Sequence, residues 1–207
     1  MDKLYTELFS GHDPSQLQVW QKAVVGIAGA GGLGSNIAVS LTRAGIGKII
    51  IADHDSVTTA NLARQQYFLN QVGLPKVAAL KDNLRHISPY TNVVVYHIKV
   101  SPLNIDSIFA QADIMLEAFD AAAEKQMLIE AWQSLFPQRY IIAASGIAGV
   151  GKNELIHTET LGRLIIVGDG VSELEPGISP VSARVATVAN MQANLCLELL
   201  LELGRDK

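Results

Sequence analysis

The 207-residue chain has one cysteine, Cys196, so it has no internal disulfide framework and no thiolate zinc cage built from a single copy. Charged residues make up only 17% of it, fewer than in an average soluble protein. The formal net charge of −4 leaves no basic footprint for nucleic acid or an anionic membrane. No apolar run reaches the length of a membrane span; the longest are strand-sized. The opening stretch MDKLYTELFSGHDPSQ is polar and lacks the apolar centre of a signal peptide, so a cytoplasmic location is expected. Five histidines, His12, His54, His86, His97 and His157, are scattered without ligand spacing and are expected to be structural or surface residues. ASGIAG around Ser145 lacks the G-x-S-x-G pattern of a nucleophile elbow.

What is abundant is apolar: 49% of the residues, arranged in short runs that alternate with helical stretches. A short helix is expected to end near Leu17–Trp20. Strands are expected at 22–28, 48–52, 92–98, 113–118 and 140–144. Helices are expected at 36–44, 75–86, 102–110 and 121–135, with Pro75 opening the second of these. This βαβαβαβαβ order predicts an α/β, Rossmann-like, doubly wound and mainly parallel sheet. After Gly146 the pattern changes. Two short strands, 154–158 and 163–167, have no helix between them and suit a short antiparallel extension. A polar loop, 168–180, then leads to a C-terminal helix from Ser182 to Leu203, with Gly204 as its cap.

Gly29, Gly31 and Gly34 fit G-x-G-x-x-G between a strand and a helix, with Gly32 inside the same cluster. Such glycines permit a tight turn and close approach of phosphate to a helix N-terminus. Asp53 lies at the end of the second strand, about 20 residues on, where a carboxylate accepts from ribose hydroxyls. On these features alone a nicotinamide-dependent dehydrogenase remains an open alternative. The following segment, DHDSVTTANLARQQ, shifts the balance by grouping Asp55, Asn61, Arg64 and Gln65, with Lys76 in the next helix. Two cations and two amides there make a charge clamp suited to phosphoryl or nucleotidyl transfer.

GAGGLGSN, the run D-x-D-x-V-x-x-x-N-L-x-R-Q from Asp53 to Gln65, GLPKV at 73–77 and EAFDAA around Asp120 resemble the ThiF/MoeB/HesA family, the bacterial relatives of ubiquitin-activating enzymes. The resemblance runs from about Val24 onward, and implies a single ThiF-like adenylation domain over 1–207 with residues 1–20 as a helical lead-in. QQYF after Arg64 and ASGIAG at 144–149 are most similar to short, stand-alone ThiF-like proteins of thiamine biosynthesis. The resemblance implies an ATP-dependent adenylyltransferase that activates the C-terminal glycine carboxylate of a small ubiquitin-like sulfur carrier with a Gly-Gly tail, ThiS-like. It places ribose at Asp53, phosphates at Asn61, Arg64 and Lys76, and Mg2+ at Asp120, with Gln65 as a buttress. Lys125 falls near a basic position of relatives, and the loop 168–180 is the expected cover over an activated carboxylate.

The departures are informative. The two C-x-x-C zinc pairs of longer relatives are absent, so no zinc is expected. The loop cysteine that takes a carrier as thioester or persulfide is also absent, and Cys196 in ANLCLELLLEL is expected to be an inert core thiol. Relatives such as MoeB supply an N-terminal arginine to a neighbouring subunit's ATP, but here the first arginine is Arg43. A homodimer is expected, using the sheet extension and the last helix. Two other readings belong to the same family: ATP-dependent dehydration of a modified tRNA base, which the acidic composition disfavours, and a non-catalytic partner of an activating enzyme, which the presence of Arg64, Lys76 and Asp120 disfavours.

Overall fold

The computed structural model describes residues 2–172 and 179–205. The strands are β1 (Val24–Ala28), β2 (Lys48–Asp53), β3 (Asn92–His97), β4 (Ile114–Glu117), β5 (Tyr140–Ala144), β6 (His157–Leu161) and β7 (Leu164–Gly168). The helices are α1 (Lys3–Leu8), α2 (Pro14–Lys22), α3 (Gly32–Ala44), α4 (Lys76–Ile87), α5 (Ile105–Phe109), α6 (Ala122–Leu135) and α7 (Ser182–Arg205). The described residues build a seven-stranded sheet in the order β3-β2-β1-β4-β5-β7-β6, parallel throughout except for the β6–β7 hairpin.

Alternation along the strands supplies two cores, one on each face. Ile27, Ile49, Ile51, Leu116 and Ile142 point to the face covered by α3, α4 and α7. Ala28, Ile50, Ala52, Met115 and Ile141 point to the face covered by α5 and α6, where Phe109 and Trp132 are fully buried. Because both faces are covered, the central strands read as unbroken apolar runs. Gly26 is needed on the second face, since a Cβ there would lie 3.0 Å from the Phe109 ring. The strand order reverses between β1 and β4: β2 and β3 lie to one side of β1, and β4 and β5 to the other. Ligands of such sheets bind at the strand carboxyl ends beside this switch point.

The expected elements are present, with differences at their edges. The first hairpin strand falls at 157–161 rather than 154–158, because Asn153–Leu155 forms a 3-10 turn. The second, β7, pairs in parallel with β5, so the antiparallel extension consists of the outer strand β6. The third predicted helix begins at Ile105, not 102, since the Asn104 side-chain oxygen accepts the Ser101 amide at 2.9 Å and forms a turn first. The glycine cluster is itself the first turn of α3, which starts at Gly32 rather than Asn36. Gly204 is not a cap. The last helix continues through it to Arg205, and the missing Cβ makes room for Val19, whose Cγ1 would sit 2.9 Å from it.

The lead-in is two helices. Asp2 and Asp13 cap them, the latter accepting the Ser15 amide at 2.8 Å. Both helices pack at the amino ends of the strands. Phe9 and Leu17 cover Gly45, the left-handed residue that ends α3, Tyr5 meets Tyr90 edge to face just before β3, and the Trp20 indole donates to the Leu197 carbonyl of α7 at 3.1 Å.

Candidate active site

The turn from β1 into α3 is shaped by two glycines. Gly29 has φ +100°, and a Cβ on it would come within 2.6 Å of the Ala118 carbonyl oxygen at the end of β4. A Cβ on Gly34 would lie 1.9 Å from the Gly29 carbonyl oxygen, so only glycine lets α3 sit this close to the strand. Gly31 is the N-cap and has no side-chain cap, which leaves the first-turn amides and the positive end of α3 open to an anion.

Around that opening the sequence-predicted residues gather on β2 and the segment after it. Asp53 is buried, and its carboxylate accepts the Ala30 amide at 2.7 Å and the Asp55 amide at 2.7 Å. It therefore braces the glycine turn, while each oxygen retains a lone pair for a ligand hydroxyl. The stem of Arg64 crosses the loop, with Cγ and Cδ 3.8 Å from where a Gly32 Cβ would be. Gln65 is buried beside Gly31, and its amide oxygen has no partner among the described residues. A buried amide oxygen without a donor costs stability unless a ligand or water serves it, which fits a buttress at a ligand site. The Asn61 oxygen accepts the Thr58 amide at 2.9 Å and caps the 3-10 turn Thr59–Ala63 that carries Arg64.

Lys76 and Asp55, both expected to face a nucleotide, face each other. The Lys76 ammonium donates to the Asp55 carboxylate at 2.6 Å and is itself buried. This contact holds the Asp55 carboxyl below its usual range. Asp53, His54 and Asp55 also place ligand atoms within 4.8 Å of one another. Each Asp53 oxygen accepts one amide, Asp55 Oδ2 accepts Lys76, and Asp55 Oδ1 lies 3.6 Å from His54 Nε2.

On the other side of Gly29, the Phe119 ring lies 3.4 Å from its Cβ position. Asp120 follows, exposed and without a hydrogen bond or ion pair among the described residues. A free carboxylate at a strand end suits a hard cation. Lys125 is turned inward and gives two hydrogen bonds, at 2.8 and 3.0 Å, to the buried carboxylate of Glu117. Burial pushes the Glu117 carboxyl up, and Lys125 opposes that shift.

Several contributors were not legible in the sequence. Asn36 donates to the Gly32 and Arg64 carbonyls and accepts from Gln66, locking the arginine segment onto α3. The Tyr67 hydroxyl donates to the Ala30 carbonyl at 2.7 Å, and burial pushes its phenol up. Val185, in the first turn of α7, is 3.1 Å from the Gly32 Cβ position and walls the loop from behind. Burial also pushes the Cys196 thiol up, in keeping with an inert core residue. Of the expected cover at 168–180, residues 173–178 lie outside the described residues. Ahead of them, the Ser172 hydroxyl accepts the Ala148 amide; beyond them, Pro180 bridges to Gly149.

The ThiF family matches over residues 5–207. The chain belongs to that family. Its relatives include the adenylyltransferase and sulfurtransferase UBA4 of Candida glabrata, 33% identical over 143 residues, which cover 69% of this chain and 33% of that protein. The ubiquitin-like modifier-activating enzyme 5 of Caenorhabditis elegans is 34% identical over 116 residues, 50% of this chain and 28% of the relative. This ThiF-family chain thus aligns with about a third of the length of its curated relatives. Among solved structures, the E. coli tRNA N6-threonylcarbamoyladenosine dehydratase TcdA, in complex with ATP, superposes with a TM-score of 0.90 over 100% of this chain and 98% of that one. At 21% identity, that likeness establishes the fold.

Proposed function

We propose that this ThiF-family protein is an ATP-dependent adenylyltransferase that activates a carboxylate, and that the carboxylate is the C-terminal glycine of a small ubiquitin-like sulfur carrier. The observation that carries this reading is the uncapped N-terminus of α3, flanked by the Arg64 stem across Gly32 and by the free carboxylate of Asp120 beyond Gly29. That is a phosphate cradle with a cation on one side and a metal-type ligand on the other. The names of the UBA4 relatives support the activity. The motifs QQYF and ASGIAG support a ThiS-like carrier of thiazole synthesis.

In this reaction a carboxylate oxygen attacks the α-phosphorus, the bond to the β-phosphate oxygen breaks, and acyl-adenylate and pyrophosphate form. The amides of Gly32–Gly34 and the Arg64 guanidinium hold phosphate oxygens and stabilise charge developing on them. Lys76 is positioned by Asp55 until a phosphate competes for its ammonium. Asp53 holds the glycine turn and accepts from ribose. Mg2+, when bound, neutralises phosphate charge, and Asp120 is the residue that fits it.

A second reading has its own support. The TcdA match covers both chains almost end to end. A threonylcarbamoyl group carries a carboxylate, and adenylylation would make its oxygen a leaving group for loss of water. The test is ATP–pyrophosphate exchange with a panel of Gly-Gly-terminated carriers including a ThiS-like one, run beside tRNA bearing N6-threonylcarbamoyladenosine. Exchange only with a carrier supports the first reading. Exchange only with the tRNA, or loss of water from its modified base, overturns it in favour of the second.

A further inference from the structure

Among the described residues, Glu117 is the fully buried carboxylate that touches the segment leading to Asp120. Its side chain is wholly out of water, at the end of β4. One oxygen accepts the Phe119 amide at 2.6 Å and the Lys125 ammonium at 3.0 Å. The other accepts Lys125 at 2.8 Å and, more distantly, the Ala144 amide at 3.5 Å. A single carboxylate thus joins the end of β4, the turn after it, the first turns of α6 and the end of β5. Its backbone carbonyl is fixed as well, by the amide of the buried Gln192 at 3.1 Å.

A buried ion pair is costly and contributes little net stability compared with apolar packing. An apolar residue at 117 would fill this core position, as Met115 and Leu116 do in the same strand. What an apolar residue lacks is an acceptor for the Phe119 amide. That amide belongs to the turn whose Ala118 carbonyl lies within 2.6 Å, and whose Phe119 ring lies within 3.4 Å, of the Gly29 Cβ position. Asp120 is the next residue and makes no side-chain hydrogen bond or ion pair among the described residues.

We propose that Glu117 and Lys125 form a positioning pair that fixes the turn 118–121, and so sets the Asp120 carboxylate against the glycine loop. Glu117 shapes the backbone from inside, and Lys125 holds the Glu117 carboxylate in place while tying the start of α6 to it. In this role neither residue needs to touch the nucleotide. This inference rests on the proposed adenylyltransferase reading, with Asp120 as the cation ligand.

The test compares wild type, Asp120→Ala, Glu117→Gln, Lys125→Met and Lys125→Arg. Three quantities are measured: ATP affinity in EDTA, Mn2+ affinity in the presence of ATP by electron paramagnetic resonance, and exchange kinetics as a function of Mg2+. Removing a residue that orients a ligand typically costs roughly 10-fold or more in metal affinity. Glu117→Gln and Lys125→Met are expected to weaken Mn2+ binding by that order and to raise the Mg2+ needed for half-maximal exchange. Their ATP affinity in EDTA should stay within about 2-fold of wild type, and Lys125→Arg should restore near-normal metal binding. Lys125 is partly exposed, so its variants carry the test if Glu117→Gln does not fold. Normal metal binding in a folded Glu117→Gln or Lys125→Met, beside a defective Asp120→Ala, overturns the positioning role alone. Normal metal binding in Asp120→Ala overturns the metal assignment and the positioning role together.

Discussion

The guanidinium of Arg184, at the start of α7, donates to the carboxylate of Asp169, just past β7, at 2.5 Å, with both side chains almost entirely out of water. Arg184 also donates to the Gly151 carbonyl, so the pair closes the neck of the segment between β7 and α7 and ties it to the strand-end loop at 151. Breaking such a pair from one side leaves an uncompensated buried charge. Asp169→Ala is expected to cost about 3–5 kcal/mol in urea unfolding. The double variant Asp169→Ala/Arg184→Met should recover a large part of that loss. A single variant as stable as wild type would show that the pair is not under this load.

The same carboxylate sets an acid limit. Burial raises the Asp169 carboxyl, but the Ser172 and Val171 amides, the Ser172 hydroxyl and Arg184 outweigh it and hold it at about 2, against an ordinary 3.8. A depressed folded-state value gives stability that is fully present above the unfolded value and is lost as pH falls through the folded one. Melting temperature should therefore drop steeply between about pH 4 and pH 2. In Asp169→Asn, which starts less stable at neutral pH, the slope over that window should be shallower. Equal slopes for the two proteins would assign the acid limit to other groups.

The glycines of the loop should separate by role. Gly34→Ala places a methyl 1.9 Å from the Gly29 carbonyl oxygen and is expected to unfold the loop or the protein. At Gly31 the nearest atom to an added methyl is the Gln65 amide nitrogen at 3.7 Å, so Gly31→Ala should fold normally. Its cost should appear in ATP affinity measured by calorimetry, because the methyl occupies the mouth of the anion site. Unchanged ATP binding in Gly31→Ala would move the phosphates elsewhere.

Three substitutions distinguish chemistry from packing. Asp120→Ala should abolish carrier-dependent exchange with the fold intact. Arg64→Ala should lose roughly 10²-fold or more, the usual worth of a donor aimed at developing charge. Cys196→Ala should retain exchange and lose about 1 kcal/mol of stability for a small cavity. The reverse ordering would misplace the site.

The homodimer expected through the sheet extension and the last helix stays a proposal; because the buried side chains of α7 lie in the core, we propose as its surface the apolar side chains that Phe68, Leu69, Val72 and Leu74 expose on one short segment. Light scattering at tens of micromolar should give twice the chain mass. Phe68→Ser/Leu69→Ser should halve it, and a monomeric wild type would refute the expectation.

Local rules made most of the fold legible. Continuous apolar runs marked buried strands, and Gly29, Gly31 and Gly34 marked the turn, although the helix starts inside the cluster at Gly32 rather than at Asn36. What stayed hidden depended on partners distant in the chain. Nothing around Gly204 reveals that Val19 needs its space, because that contact joins the two ends of the described chain. The motif groups Asp55 and Lys76 as ligand candidates side by side, but only the fold brings one opposite the other. Asp169 and Arg184 sit in segments with no motif, and their pairing across the loop has no local signal. Glu117 and Asn36 act through Lys125 and through Arg64 and Gln66, partners that only the fold brings beside them.

The placement of the first two helices has a consequence for catalysis. Residues 2–22 are committed to the amino ends of the strands, through Asp2 to the Tyr90 hydroxyl, Phe9 over Gly45 and Trp20 to Leu197. The proposed nucleotide cradle opens at the opposite ends. A cation lent by that arm to a neighbouring copy would first have to tear these anchors away. In the proposed reaction the electrostatic work at the phosphates would fall to residues in the segments that follow β2, with Arg64 across the loop and Lys76 behind Asp55.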